Sequence, residues 1–179
     1  MYTDGSATKK NGVMRAGCGV WFEDNSPFNI SSGLRGRQTN NRAELTAIIL
    51  ALRKALGWPT LYKSVTIHSD SKLCVDGTNV WMARWKVDGW TRGGQQVKSA
   101  DLWKLLNRVL NEYKEKGIEV GLEHVPAHVG VYGNERADRL AKAAVRRAHR
   151  NANLSPSQQQ ERQLENQADE IVAGILANL

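Results

Sequence analysis

Four acidic residues and a histidine stand where the sequence predicts the ends of structural elements. Asp4 closes a short opening strand and Glu44 lies in the first turn of a long apolar helix. Asp70 follows a β-branched strand, and Asp138 falls in the first turn of the last strong helix. Ends of adjacent strands lie ~4.8 Å apart, so acids placed there can share one cavity. Carboxylates gathered in this way raise one another's pKa unless cations neutralise them. Oxygen-only ligands suit Mg²⁺ or Mn²⁺, not Zn²⁺. Two such ions about 3.5–4 Å apart would hold the attacking water and the leaving oxygen of a phosphodiester in line. His128, ten residues before Asp138 in a Pro/Gly loop, has an imidazole pKa of about 6.5 and would pass a proton to the leaving group. Each residue also has a plainer reading. Strand-terminal Asp residues cap turns, a first-turn Glu answers the helix dipole, and a loop histidine can simply face solvent. Residue types alone leave both readings open. His68 and His124, inside strands, read as packing.

The elements that must position these groups follow in order. Tyr2 and Thr3 favour a strand that Asp4-Gly5-Ser6 ends with turn chemistry. Lys9-Lys10-Asn11-Gly12 reads as a polar loop, and Ala16–Phe22 and Phe28–Leu34 complete a meander. The helix that holds Glu44 is apolar on almost every face and stops at Gly57-Trp58-Pro59. Ser64–Ser69 is a buried strand. Trp81, Trp85 and Trp90 then alternate with basic residues up to Lys98, the second half being glycine-rich and not helical. An amphipathic helix from Asp101 to Lys116, an alternating strand from Ile118 to Val125, and a helix capped by Asn134 follow. This order predicts an α/β protein, a mixed sheet with helices on its faces.

Composition narrows the classes. A hydrophobic share of 41% with 24% charged residues is ordinary for a globular domain. No run of 18 apolar residues predicts a membrane span, and the chain opens without a charged-then-apolar leader. Cys18 and Cys74 lack ligand spacing and read as small buried residues of a reducing, hence intracellular, compartment. The nucleus, mitochondrion and cytosol are not distinguished. The net charge of +7 is uneven: residues 149–179 hold two arginines and four acids, which leaves +9 on residues 1–148. A basic domain of that kind points to a polyanion such as nucleic acid.

Four motifs in order carry a resemblance. Tyr-Thr-Asp4-Gly-Ser, Gly-Arg-Gln-Thr-Asn-Asn-Arg-Ala-Glu44-Leu, Ser-Asp70-Ser and His-Val-Pro-Ala-His128-Val-Gly-Val-Tyr-Gly-Asn-Glu-Arg-Ala-Asp138 resemble type 1 ribonuclease H, in its eukaryotic form, over residues 1–148. The resemblance implies a ribonuclease H-like fold with a five-stranded mixed sheet. It implies an endoribonuclease that hydrolyses the RNA strand of RNA–DNA hybrids by a two-metal-ion mechanism, leaving 5′-phosphate and 3′-hydroxyl ends. Asp4, Glu44, Asp70 and Asp138 match the family's ligands for two Mg²⁺ ions, with Mn²⁺ as a substitute, and His128 matches its mobile histidine. Asn11, Asn40 and Asn41 match the RNA-facing side. Trp81, Trp85, Lys86 and Trp90 match its basic handle, and Arg37, Thr39 and Ser99 a pocket for a DNA phosphate. Trp81 and Trp85, at i and i+4, also read as helix packing, with at least one expected to be buried. Ser99 stands where that pocket carries Asn, and Ala127 where Gly usually precedes the histidine. The first strand is expected to be cut short on both sides, since only three residues precede Asp4.

Residues 149–179 are expected to form a linker and a C-terminal amphipathic helix over about 156–177. Ser155-Pro156-Ser157-Gln158 reads as a capping box, and Leu164, Ala168, Ile171, Val172, Ile175, Leu176 and Leu179 recur at helical spacing. Such a stripe would pack on the domain or mediate self-association. Two rival readings keep the same residues: the ribonuclease H domain of a reverse transcriptase or retroelement, and a catalytically weak hybrid-binding protein.

Overall fold

Asn11 and Gly12 sit at φ of 50° and 79° and make the tight turn of the first hairpin, the backbone that Asn-Gly adopts most readily. The computed structural model describes residues 1–58, 62–152 and 157–158. In chain order the elements are β1 (Tyr2–Lys10), β2 (Val13–Trp21), β3 (Ile30–Gly33), α1 (Asn40–Leu56) and β4 (Ser64–Ser69). Next come α2 (Lys72–Asp76), a π-helical turn over Gly77–Trp81, and α3 (Met82–Val87). The two-residue strands β5 (Thr91–Arg92) and β6 (Gln95–Gln96), then α4 (Ala100–Glu115), β7 (Glu119–His124) and α5 (Tyr132–Asn151), complete the series. The main sheet is five-stranded and mixed, in the order β3-β2-β1-β4-β7. No helix among the described residues is long and apolar enough to cross a membrane. The expected C-terminal helix lies outside the described residues, apart from Ser157 and Gln158, which are helical.

Several expectations need correction. Asp4-Gly5-Ser6 does not end the first strand: β1 continues to Lys10, because every residue from Tyr2 onward pairs with β2. The expected shortening is on one side only. Against the parallel neighbour β4, β1 pairs at Tyr2↔His68 and Thr3↔Ser69, and Met1 O accepts from His68 N at 2.8 Å. Thr39 caps α1, its hydroxyl accepting from Arg42 N, so Glu44 lies in the second turn. Likewise α5 begins at Tyr132, which puts Asp138 in the second turn and Asn134 inside the helix. His124 is exposed at the end of β7, whereas His68 packs as expected, stacked on Tyr2 at 4.6 Å.

The sheet is covered on both faces, and glycines set how closely. On one face α1, with buried side chains from Ala43 to Ala55, lies so near β1 that a Cβ on Gly5 would fall on the Ala43–Glu44 backbone. On the other face α5 crosses β2, where a Cβ on Gly19 would meet the backbone of Ala137 and Ala141. Behind α1, α4 contributes the fully buried Trp103, Leu106, Val109 and Tyr113. The Tyr113 hydroxyl donates to Leu52 O at 2.7 Å. Cys18 and Cys74 are buried free thiols.

Candidate active site

The pairing Thr3↔Ser69 sets the site. With those two residues abreast on parallel strands, the next residue of each chain is an acid. β4 ends there, so Asp70 turns out beside Asp4 at the carboxyl edge, where open α/β sheets hold ligands. The close approach at Gly5 brings the second turn of α1, and with it Glu44, over the same edge. Ligand oxygens of Asp4, Glu44 and Asp70 all lie within 4.8 Å of one another.

Electrostatics show what this arrangement costs. Asp4 is buried (7% exposed). Burial, then the charges of Asp70 and Asp138, push its pKa up to about 8, against a hydrogen bond from the Gly5 backbone. Burial also raises Glu44, opposed by a hydrogen bond with Ser71 and reinforced by Asp70. The carboxylates therefore cannot all ionise at neutral pH without a counter-charge. Three clustered carboxyl groups with no nitrogen or sulfur ligand form a donor set for a hard divalent cation.

Asp138 is near enough to shift Asp4 but stands outside the cluster of three, its Oδ2 accepting from Lys142 Nζ at 2.8 Å. His128 also stands apart. It is exposed on the loop before α5, at φ 55°, and among the described residues its ring forms no hydrogen bond. Sequence reasoning missed Asn134. Rather than capping α5, it is 2% exposed and its Nδ2 donates to Asp70 Oδ2 at 2.9 Å. A buried Asn in a helix needs a polar partner, but its burial shows only in the folded chain.

A second region lies across α1. A cleft of about 530 Å³ brings together the expected Arg37, Thr39, Asn41, Trp81, Trp85 and Ser99. Arg42, which the sequence reading passed over, joins its walls by a bidentate pair to Asp101 at 2.8 and 2.6 Å. Ser99 sits just before α4 at φ 60°. Trp85 is largely core, 7% exposed and edge-on to Trp103 at 5.2 Å. Trp81 is half-buried beside it, 5.8 Å between rings. Lys86, exposed on α3, and Trp90, half-buried against the core, lie outside this lining, Asn40 on the exposed start of α1, and Asn11 at the hairpin tip.

The RNase H family model matches residues 1–146. The chain belongs to the RNase H family. Its sequence is 42% identical over 146 residues to the Ribonuclease H of Schizosaccharomyces pombe, covering 79% of this chain and 51% of that one. It is 36% identical over 145 residues to Ribonuclease H1 of Homo sapiens, covering 79% and 48%. The chain thus spans about half the length of these two curated relatives. The fold is shared with LC11-RNase H1 in complex with RNA/DNA hybrid, at TM-score 0.55 and 26% identity over 82% of this chain and 96% of that one. RNase H proteins are metal-dependent, in keeping with the carboxylate cluster.

Proposed function

We propose that this RNase H protein is an endoribonuclease that hydrolyses the RNA strand of RNA–DNA hybrids, using two Mg²⁺ ions. The observation that carries the reading is the convergence of Asp4, Glu44 and Asp70, whose ligand oxygens lie within 4.8 Å of one another. It is supported by family membership and by the hybrid bound to LC11-RNase H1. Bound there, divalent cations would supply Lewis-acid activation of water and of the scissile phosphate. Asp4, Glu44 and Asp70 would hold them, and Asn134 would fix the Asp70 carboxylate. Asp138 would add its charge on release from Lys142. Water would attack phosphorus and release its proton to solvent, the bond from phosphorus to O3′ would break, and His128 would deliver to O3′ the proton that makes the 3′-hydroxyl. Arg37, Thr39, Trp81 and Ser99 would grip the DNA strand through phosphates and sugars, contacts that position without reading sequence.

The test is cleavage of end-labelled substrates with Mg²⁺ and with EDTA. The hybrid should be cut only with Mg²⁺, to 5′-phosphate products. Single-stranded RNA, double-stranded RNA and double-stranded DNA should stay intact. Cutting of double-stranded RNA at a comparable rate would refute the assignment.

A further inference from the structure

Beyond the carboxylates, β1 and α5 run on side by side. Residues opposite one another in an antiparallel pair share a face, and Asp4 and Ser6 lie opposite Gly19 and Gly17, the glycines on which α5 packs. Asp4, Ser6, Thr8 and Lys10 therefore form one row facing α5. On the helix, Asp138, Lys142, Arg146 and Arg150 recur every fourth residue and form a second row. His149 joins the two, its Nε2 lying 3.2 Å from both the hydroxyl and the carbonyl oxygen of Thr8. The rows bound a groove of about 780 Å³. Lined from Ser6 to Lys10 on the strand and from Lys142 to Arg150 on the helix, it is about 12–13 Å long by strand and helix rise.

The groove's charge is one-sided. Lys9, Lys10, Lys142, Arg146, Arg147 and Arg150 line it, and no acid does among the described residues. Lys142 is paired with Asp138 and Arg147 is bound to Ser31. Among the described residues, Lys10, Arg146 and Arg150 form no ion pair. Like charges at i and i+4 work against a helix, a conflict that an anion relieves. Arg147 feels the crowding: burial, then Arg150 and Arg146, lower its pKa. The groove starts at the carboxylates, through Ser6 and Lys142, and lies across the sheet from the cleft that holds Arg37, Thr39 and Trp81.

We propose that this groove binds the phosphates of the RNA strand as that strand leaves the scissile position, through Lys10, Arg146 and Arg150. The proposal rests on the hybrid reading above. The strand cut at Asp4 and Asp70 is the one that runs into the groove, whereas the other strand has its own cleft.

The test uses the full chain and the triple variant K10A/R146A/R150A, three exposed positions outside the carboxylate cluster. Affinity is measured in EDTA for a short blunt hybrid and for that hybrid with a single-stranded extension: RNA at its 5′ end, RNA at its 3′ end, or DNA. Expected is a gain on the order of tenfold for the parent with one of the two RNA extensions. The variant should lose that gain, and its salt slope should fall by about 2 for three phosphate contacts on a single strand. In Mg²⁺ the variant should cleave the blunt hybrid at the parent's kcat. The proposal is overturned if neither RNA extension helps the parent, if the variant keeps the gain, or if a DNA extension helps equally. The hybrid reading fails separately, if the parent does not cleave the blunt hybrid in Mg²⁺.

Discussion

Asp4 holds its proton more tightly than a carboxyl group in water, and the consequence can be measured without substrate. Its pKa in the folded chain is about 8 against an ordinary 3.8, with burial the largest cause and Asp70 the next. Between those values the folded chain binds more protons than the unfolded chain, so stability falls as pH rises through the window. In EDTA, melting temperature should therefore drop from about pH 4 to pH 8. Asp4→Asn removes this titration, so the variant should melt above the parent at pH 8, with the gap closing toward pH 4. Mg²⁺ should raise the parent's melting point most at the alkaline end. A parent whose EDTA melting curve is flat across the window would mean that Asp4 is ionised without help. His128 is a different kind of residue, exposed on the loop before α5. His128→Ala should lower kcat by about 10–100-fold, the lower part of the general acid–base range, since water replaces the imidazole in part. A change confined to KM would assign the ring to binding instead.

At the scale of elements, what was legible in the sequence followed the strength of local signals. The β-branched run Ser64–Ser69, the apolar helix up to Gly57 and the amphipathic helix through Tyr113 all formed where periodicity placed them. Residues with strong local preferences but stronger tertiary partners were misread. Asp4-Gly5-Ser6 has turn chemistry, yet its backbone is held by nine consecutive pairs with β2. Asn134 has cap chemistry, yet its amide serves Asp70 two elements away. Gly5, which reads as part of the Asp4-Gly5-Ser6 turn, is instead the place where α1 touches the sheet. That is the ground for a prediction. In Gly5→Ala the new methyl falls on the backbone of α1, which cannot rotate away as a side chain could. Overpacking of this kind costs about 1–3 kcal/mol, so melting should fall by roughly 3–10 °C. Because the displaced segment carries Glu44, cleavage should suffer more than stability does. A variant with the parent's activity would mean that α1 does not set the position of Glu44.

For the whole molecule, the site depends on three separated stretches of chain that no local pattern relates. The sheet order puts β1 beside β4, α1 covers one face and α5 the other, and Asp4, Glu44 and Asp70 come together at one edge, with Asp138 near enough to act on Asp4. The motifs named these residues through resemblance, while the folded chain supplies the cause, the register Thr3↔Ser69. The same edge opens on one side to the cleft at Arg37 and Trp81 and on the other to the groove at Lys10 and Arg150. In the proposed function these surfaces grip the duplex and take no part in the chemistry. Binding and cleavage should therefore separate when one carboxylate is removed. The most direct measurement compares Asp70→Asn with the parent for both hybrid affinity and single-turnover cleavage in Mg²⁺. A metal site supplies several kcal/mol of transition-state stabilisation. Loss of a central ligand should thus lower cleavage on the order of 10³-fold, with hybrid affinity within a few-fold of the parent's. A variant that still cleaves within tenfold of the parent would contradict the account.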